Sequence, residues 1–330
     1  MNRFGKIFNV GIYGESHGEE IGITIDGVKP GIKIETKDFL VALEKRKPGK
    51  LGTTKRIESD TPNIVSGVFD GYTTGAPINI NFKNLNKRSE DYPDLKSHPR
   101  PGHADYSSTI KYKGYNDIRG GGHFSGRMTL GLVAAGVIAE KHYSENIEVE
   151  AKIIKLGELK VENMEDSEVV LEIERVAMLG DSIGGVINCK IKGLKAGLGE
   201  PFFDSLESVI AHGIFSIPGV KGIEFGTGFK GCEKLGSEFN DVFVNSTGET
   251  LTNNNGGING GISNGNEISF NVAVKPTSSI FKVQESFNFK TGSKEKLEIK
   301  GRHDAAFILR TPVVVESVVK IVMADMVLRK

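Results

Sequence analysis

Two histidines set among glycines are the residues best suited to acid–base chemistry in this chain. His17 lies in GESHG (Gly14–Gly18), directly after an apolar stretch, so its ring is placed to face a cleft at a strand end. His103 lies in RPGHAD (Arg100–Asp105), between an arginine and an aspartate on a Pro-Gly turn. An imidazole with a pKa near ~6.5 can donate or accept a proton at neutral pH. Each histidine alone is equally consistent with a turn residue that bonds a neighbouring carbonyl.

Glycines and cations follow the second histidine. Gly120–Gly122 precede Ser125, which is placed to cap a helix, and Arg127 lies in the first turn of that helix. Backbone N–H groups at a helix start attract anions, so this segment predicts a phosphate or carboxylate cradle. A flexible surface loop is the alternative. Asp105 is placed either to orient the His103 ring or to cap the next segment.

A third group of polar residues lies near the carboxyl end of the chain. Gly301–Asp304 (GRHD) places a cation, an imidazole and a carboxylate side by side. Adjacent side chains of an extended segment point to opposite sides, so Arg302 and Asp304 are expected to share a face. Lys275–Ser279 (KPTSS) adds one amine and three hydroxyls that suit a phosphate or a ribityl chain.

Composition excludes several classes of protein. The 330 residues carry 42 Lys plus Arg and 42 Asp plus Glu, so no global charge favours nucleic acid or an anionic membrane. The apolar run 130–139 is far shorter than the ~20 residues that span a bilayer, and the amino-terminal residues contain no apolar signal-peptide core. Two isolated cysteines suit a reducing compartment. We therefore expect a soluble, cytoplasmic protein with neither a nucleic-acid nor a membrane partner.

Other catalytic motifs are missing from the sequence. The seven histidines show no metal-ligand spacing, so no metal site is predicted. Gly226–Gly231 matches the glycine spacing of a dinucleotide-binding loop, but the apolar helix that must follow is missing.

Strand and helix patterns alternate along the whole chain. Alternating β-branched residues predict strands at Ile21–Ile25, Asn63–Phe69 and Pro77–Phe82. Helices are predicted from Thr36 as N-cap to Lys47, after Ser125, and from Asp204, where Glu207 completes a capping box. A further helix begins with Thr311 as cap and Pro312 in its first turn. No domain boundary stands out, so we expect one α+β unit over residues 1–330.

Taken together, these motifs resemble the chorismate synthase family. The matching strings follow the family's order over essentially the whole chain: GESHG (14–18), KRKPG (45–49), SGVFDGYTTGAPI (66–78), RPGHADYS (100–107), DIRGGGHFSGR (117–127), GDSIGG (180–185), AGLGEP (196–201), GGINGGISNG (256–265), KPTSSI (275–280) and GRHD (301–304). Several of the strings are weak alone, but ten in order are specific.

The resemblance implies a reaction and a fold. The reaction is the last step of the shikimate pathway, in which a carbon–oxygen lyase converts 5-enolpyruvylshikimate 3-phosphate to chorismate. It is an anti 1,4-elimination of phosphate that needs reduced FMN (FMNH2) without net redox change. The implied fold is a single-domain β-α-β sandwich that assembles as a homotetramer.

The resemblance also implies roles for individual residues. His17 would act as acid toward the leaving phosphate, His103 would interact with the reduced flavin, and Asp304 would assist proton removal by flavin N5. Substrate contacts fall on Ser16, Arg46 and Arg127. Flavin contacts fall on the following residues: His123, Phe124, Ser125, Pro218, Gly219, Gly260, Lys275, Pro276, Thr277, Ser278, Ser279 and Arg302.

Three positions depart from the family pattern. His123-Phe124 replaces the usual Arg-Ser pair, Ala305 replaces a proline, and the run KLGTT at 50–54 lacks a basic residue that some members use for NADP. Two alternatives follow: a catalytically inactive flavin- or phosphate-binding homologue, or a bifunctional enzyme with NADPH-dependent flavin reductase activity. Because His17, His103 and Asp304 are all present and no dinucleotide motif is supported, we favour a monofunctional enzyme that uses an external flavin reductant.

Overall fold

Two antiparallel sheets enclose a layer of helices in the computed structural model of the chain. It describes residues 2–49, 51–54, 59–85, 95–143, 146–299, 301 and 303–329. Within these ranges the layers lie in the order sheet, helices, sheet, which is that of a β-α-β sandwich, as predicted.

The first sheet carries the amino-terminal motifs. Its strands run in the order β1-β2-β3-β7-β4, with every neighbouring pair antiparallel. Their bounds are β1 Arg3–Phe4, β2 Asn9–Gly14, β3 Glu20–Asp26, β4 Asn63–Ser66 and β7 Ile78–Lys83, and a ribbon of β5 Val68–Phe69 with β6 Tyr72–Thr73 lies between β4 and β7 in sequence. Alternate residues of β3 and β7 are buried, because one face covers the helices. GESHG forms the turn from β2 to β3.

The second sheet runs in the order β11-β14-β10-β8-β9. Its strands are β8 Glu148–Leu156, β9 Leu159–Lys160, β10 Gly185–Lys192, β11 Val220–Phe225 and β14 Ile268–Val274. Two further ribbons pair β12 Ile258–Asn259 with β13 Ile262–Ser263, and β15 Gln284–Asn288 with β16 Ser293–Leu297.

The helical layer is centred on two apolar helices. The helices are α1 Thr36–Arg46, α2 Asp105–Lys111, α3 Thr129–Glu140, α4 Ser167–Met178, α5 Leu206–Ile214, α6 Gly228–Gly231, α7 Gly236–Phe239 and α8 Pro312–Leu328. α3 packs on the first sheet, α8 packs on the second, and the two helices contact each other. A Cβ at Gly136 would lie 2.6 Å from Ser317 Cβ, so glycine is what permits this close approach.

The predicted elements are largely confirmed, with small shifts at their ends. The strand predicted over Asn63–Phe69 breaks at Gly67 into β4 and β5. Thr36 is the first residue of α1 and not its cap, because Glu35 occupies that position and its N–H bonds Asp38 Oδ2 at 3.0 Å. The N-cap of α5 is Ser205 and not Asp204, since the Ser205 hydroxyl accepts the Ser208 N–H.

One connected cluster of buried apolar side chains joins both sheets to the helices. It includes Phe8, Phe39, Phe82 and Phe270, all fully buried. The single-domain organisation stays a prediction, and this shared core supports it.

Candidate active site

A cavity of about 940 Å³ collects the predicted site residues. Its volume is at the upper end of the ~300–1,000 Å³ typical of small-molecule sites, so it has room for more than one small ligand. Most of the predicted residues line it: Ser16, His17, Arg46, His103, His123, Phe124, Ser125, Arg127, Pro218, Gly219, Lys275, Pro276, Thr277, Ser278, Ser279 and Asp304.

Two predicted residues are not placed there. Gly260 lies in the turn between β12 and β13, outside the cavity lining, and a Cβ built on it would meet nothing within 4 Å. A single chain therefore does not bring Gly260 to the site, and its flavin contact stays a prediction. Arg302 lies outside the described residues.

His17 is almost completely buried in the β2–β3 turn and packs against the triple glycine. A Cβ on Gly120 would lie 2.4 Å from His17 Nε2, and a Cβ on Gly121 would lie 3.4 Å from His103 Nε2. All three glycines have positive φ, which favours glycine. The Gly121 N–H bonds the Ile118 carbonyl at 3.1 Å and so does not serve the predicted anion cradle. The triple glycine instead packs against both imidazole rings.

His103 is held by a buried ion pair. Its Nδ1 lies 2.6 Å from Asp105 Oδ1, and Arg100 bonds both oxygens of the same carboxylate. Burial lowers the pKa of His103, and the hydrogen bond that the ring donates to Asp105 only partly opposes this. Of the two roles left open for Asp105, the structure therefore shows the orienting one, although the residue also begins α2.

Arg46 and Arg127 share a carboxylate that the sequence did not single out. Asp60 Oδ2 lies 2.8 Å from Arg46 Nη2, and Asp60 Oδ1 lies 3.2 Å from Arg127 Nη1. The Asp60 side chain is fully buried. A buried charge of this kind is tolerated because it is paired. No local pattern marks Asp60, since its partners lie 14 and 67 positions away.

Asp304 is fixed by two donors. Its Oδ1 accepts the Thr54 N–H at 2.8 Å, and its Oδ2 forms a short ion pair with Arg310. His303 and Asp304 both line the cavity. Residues 303–306 form no strand, so the alternation expected of an extended segment does not apply to this pair. Arg310 was not singled out from the sequence.

The departure at His123-Phe124 places two rings at the cavity. His123 Nδ1 donates to the Gly14 carbonyl at 2.7 Å, which leaves Nε2 as the ring's other polar atom. Phe124 lines the cavity and stays more than one third exposed. Ser125 caps the segment leading into α3, as predicted, by accepting the Arg127 N–H.

The Lys275–Ser279 segment is tied to the His103 turn. Lys275 Nζ and Ser278 Oγ both donate to the Gly102 carbonyl, and Arg100 Nη1 donates to Ser279 Oγ at 2.9 Å. Burial lowers the pKa of Lys275, and neighbouring Lys221 acts in the same direction. Thr277 Oγ1 is buried and has no hydrogen-bond partner in the described part of the chain.

The cavity is strongly cationic although the whole chain has no net charge. Among its described lining residues, seven are arginine or lysine and one is acidic: Arg3, Arg46, Arg100, Arg127, Lys221, Lys275 and Arg310, with Asp304 as the acid. Guanidinium groups suit carboxylates and phosphates because they offer paired donors in a plane. The arrangement is that of a site for a small, multiply charged anion.

The described residues contain no group of three or more His, Cys, Asp or Glu able to hold a metal ion. No helix within those ranges is both long and apolar enough to cross a membrane.

Comparison with known proteins places these features in a family. A family model described as chorismate synthase matches residues 8–328. The chain is 52% identical to a chorismate synthase of Chitinophaga pinensis over 99% of this chain and 97% of that protein. It is 41% identical to a chorismate synthase of Pyrococcus abyssi, over 97% of this chain and 96% of that protein.

The fold agrees with this assignment. A crystal structure of chorismate synthase superposes with a TM-score of 0.74 at 24% sequence identity, covering 99% of this chain and 93% of the other. Together with the family model and the relatives, the cationic cavity and its paired imidazoles lead to one conclusion: this chain belongs to the chorismate synthase family.

Proposed function

We propose that this lyase converts 5-enolpyruvylshikimate 3-phosphate to chorismate in the cationic cavity, with reduced FMN bound beside the substrate. The observation that carries the proposal is the gathering of seven cationic side chains, five imidazoles and one carboxylate around one cavity. The substrate has two carboxylates and a phosphate. A chain without net charge must therefore bind it through locally concentrated cations.

The elimination needs one group that gives a proton and one that receives a proton. The carbon–oxygen bond to phosphate breaks and the phosphate leaves with the electron pair, while a ring proton is lost and a new double bond forms. His17 is assigned as the acid toward phosphate, and Asp304 as the carboxylate on the proton-removal side. The Thr54 N–H and Arg310 hold the Asp304 carboxylate in one orientation at the cavity.

Arg46 and Arg127 are assigned to substrate binding. Their shared partner Asp60 pairs with both guanidinium groups and so holds them in a fixed arrangement before a ligand binds. Ser16 lies next to His17 in the same turn and is assigned to the same ligand.

The residues present fit a flavin mononucleotide. The orphaned Thr277 hydroxyl and the Lys275 amine suit a phosphate and ribityl chain, and Phe124 with Phe307 offers an apolar lining for a planar ring. Other cavity residues that we assign to flavin binding are His103, His123, Ser125, Pro218 and Gly219. Reduced FMN supplies electron density to the reacting substrate without net redox change.

The test is an anaerobic assay with the purified chain, dithionite-reduced FMN and 5-enolpyruvylshikimate 3-phosphate. We expect chorismate absorbance to rise, and no product at saturating reduced flavin would reject the proposal. A second assay supplies NADPH in air without an added reductase. Chorismate formation in that assay would show that the enzyme is bifunctional and reduces its own flavin.

We also propose that the protein is a homotetramer in the cytoplasm and that an external reductant supplies its reduced flavin. Large apolar side chains left exposed between β11 and β12 support self-association.

A further inference from the structure

The Arg100–Asp105 ion pair lies directly behind the His103 ring. We propose that Asp105 is a positioning residue, which holds His103 as the Nδ1–H tautomer and leaves Nε2 unprotonated at the cavity. The catalytic consequence of this inference rests on the proposed function, whereas the tautomer itself does not.

The Asp105 carboxylate is surrounded by donors. Oδ2 accepts the Arg100 backbone N–H at 3.1 Å and Arg100 Nε at 2.7 Å. Oδ1 accepts Arg100 Nη2 at 2.7 Å and lies 2.6 Å from His103 Nδ1. Both side chains of the ion pair are at most 4% exposed, so water does not compete for these bonds. The carboxylate therefore has a single, fixed orientation toward the ring.

Two neighbours compete for His103 Nδ1. Arg100 Nη2, at 3.1 Å, can only donate and would require an unprotonated Nδ1. An unprotonated Nδ1 at 2.6 Å from Asp105 Oδ1 would set two lone pairs against each other. A protonated Nδ1 instead donates to the carboxylate, at a distance slightly shorter than the ~2.7–2.9 Å usual for a charge-assisted hydrogen bond. The shorter contact therefore selects the Nδ1–H tautomer.

Burial is the main influence on the protonation of the His103 ring, and it favours the neutral form. Arg100, Asp105 and Lys275 are the charged groups that act on it. Burial lowers the pKa of His103, both cations act in the same direction, and Asp105 opposes them. A neutral Nδ1–H ring has one lone pair, on Nε2, which lies near Gly121, and the His103 residue lines the cavity. His103 is thus an acceptor for a proton or hydrogen bond from a bound ligand.

The substitution Asp105→Asn makes a directional prediction. Two donors converge on the Oδ2 position, so the single amide oxygen will occupy it, and the amide NH2 will take the Oδ1 position. That NH2 donates toward Nδ1 and makes an unprotonated Nδ1 favourable. The His103 tautomer should therefore change to Nε2–H.

Long-range ¹H–¹⁵N spectra of the ligand-free, ¹⁵N-histidine-labelled chain test this directly, with His103 assigned by His103→Gln. We expect Nδ1–H in the wild type and Nε2–H in Asp105→Asn. His142 is an internal control, because its Nδ1 donates to the Ile138 carbonyl and its Nε2 accepts the Lys29 N–H, away from this pair. Asp241→Asn is the matched control, since Asp241 holds Asn254 and Asn255 outside the cavity lining.

Several outcomes overturn the inference. It fails if wild-type His103 carries its proton on Nε2, or if the tautomer is unchanged in Asp105→Asn while His142 keeps its pattern. If Asp105→Asn loses the His142 pattern, Asp105→Ala makes the same prediction, because the donor Arg100 Nη2 then remains beside Nδ1.

A kinetic readout separates the inference from the proposed function. Turnover in Asp105→Asn should fall by about 10-fold, less than the ~10²–10⁴ that a whole acid–base group contributes, with a smaller change in substrate KM. An active wild type with the wrong tautomer rejects the inference alone. The correct tautomer without any chorismate rejects the proposed function alone.

Discussion

At the residue scale, the tightest constraint on His17 comes from Gly120. A Cβ on Gly120 would lie 2.4 Å from both Cδ2 and Nε2 of the ring. The imidazole is almost completely buried, so it has little room to retreat. The hydrogen atom of Gly120 therefore helps to define where the acid sits.

The substitution Gly120→Ala should displace the His17 ring. Turnover should therefore fall even under conditions in which the variant is fully folded. Gly71→Ala is the matched control: Gly71 has a comparably positive φ of +81°, but a Cβ there would meet nothing within 4 Å. Gly71→Ala should lose about 1 kcal/mol of unfolding free energy from backbone strain, and Gly120→Ala should lose more, because its Cβ also meets the His17 ring. Equal turnover in the two variants, measured beside their denaturant melts, would show that the Gly120 contact has no role in catalysis.

His17→Ala tests the assignment of the acid. Loss of one general acid should lower turnover by roughly 10²–10⁴-fold, while the Kd for substrate changes much less, because the cations remain. Steady-state kinetics and anaerobic titration with the substrate measure the two effects. Full turnover in this variant would move the acid role to another residue.

At the element scale, Asp60 connects the end of α1 to the segment that begins α3. It pairs with Arg46 in the last turn of α1 and with Arg127 just before α3. Arg127 also donates to Asn84, whose amide bonds the carbonyls of Glu15 and Gly18 on either side of His17. One network therefore links Arg46 and Arg127, the arginines proposed to bind substrate, to the turn that carries His17.

Asp60→Asn should weaken this network and lower the unfolding free energy by about 3–5 kcal/mol, since it leaves buried guanidinium charge uncompensated. Asp181→Asn is the control, because its pair with Lys282 is substantially exposed and such pairs contribute ~0–1 kcal/mol. Urea melts compare the two variants. A loss at Asp60 no larger than at Asp181 would contradict the role given to the shared carboxylate.

His142, just after α3, makes stability depend on pH. Burial lowers the pKa of its ring, and protonation would break the bond that Nε2 accepts from the Lys29 N–H. A lowered folded-state pKa means that the unfolded chain binds the proton first. The stabilisation is therefore present above the unfolded value of ~6.5 and is lost as pH falls from there toward the folded-state pKa.

His142→Gln should flatten this dependence. The difference in unfolding free energy between pH 7.5 and pH 5.5, from urea melts, should be smaller in the variant than in the wild type. His103 has a pKa lowered in the same direction and stays in both proteins, so the comparison isolates His142. An unchanged slope would show that His142 does not contribute.

Element positions could be predicted well from sequence, and their ends less well. The isoleucine alternation of β3 and the Thr311-Pro312 start of α8 are local signals, and both are confirmed. Asp204 was expected to cap α5, but it binds Lys6 and Arg329, which are distant in sequence. Local patterns cannot weigh such distant partners.

At the scale of the whole molecule, exposed apolar side chains gather between β11 and β12. Phe229, Leu235, Phe243 and Leu251 are each at least 67% exposed. The proposed homotetramer needs an apolar surface of this kind, so we propose that its contacts between copies of the chain include this segment.

Phe243→Glu should therefore lower the molar mass measured by light scattering from that of a tetramer toward a smaller species. Far-UV circular dichroism should stay unchanged, because the side chain contributes little to the core. Leu171→Glu on the exposed face of α4 is the control and should keep the wild-type mass. Equal masses for both variants and the wild type would place the interface elsewhere.

The sequence predicted the residues that line the site better than it predicted the ion pairs between them. Motif order named His17, His103 and Asp304, and the structure brings all three to one cavity. The sequence did not predict the pairing of Arg310 with Asp304 or of Asp60 with two arginines, because these contacts depend on the folded chain. Gly260 matches a family string yet lies outside the cavity of a single chain.

The stoichiometry of an anaerobic reaction tests the central claim most directly. Purified chain, a limiting amount of reduced FMN and excess 5-enolpyruvylshikimate 3-phosphate are mixed, and chorismate, phosphate and the flavin spectrum are followed together. We predict equal amounts of chorismate and phosphate, many per flavin, with the flavin still reduced at the end. No product, or product limited to one per flavin oxidised, would contradict a redox-neutral elimination in this cavity.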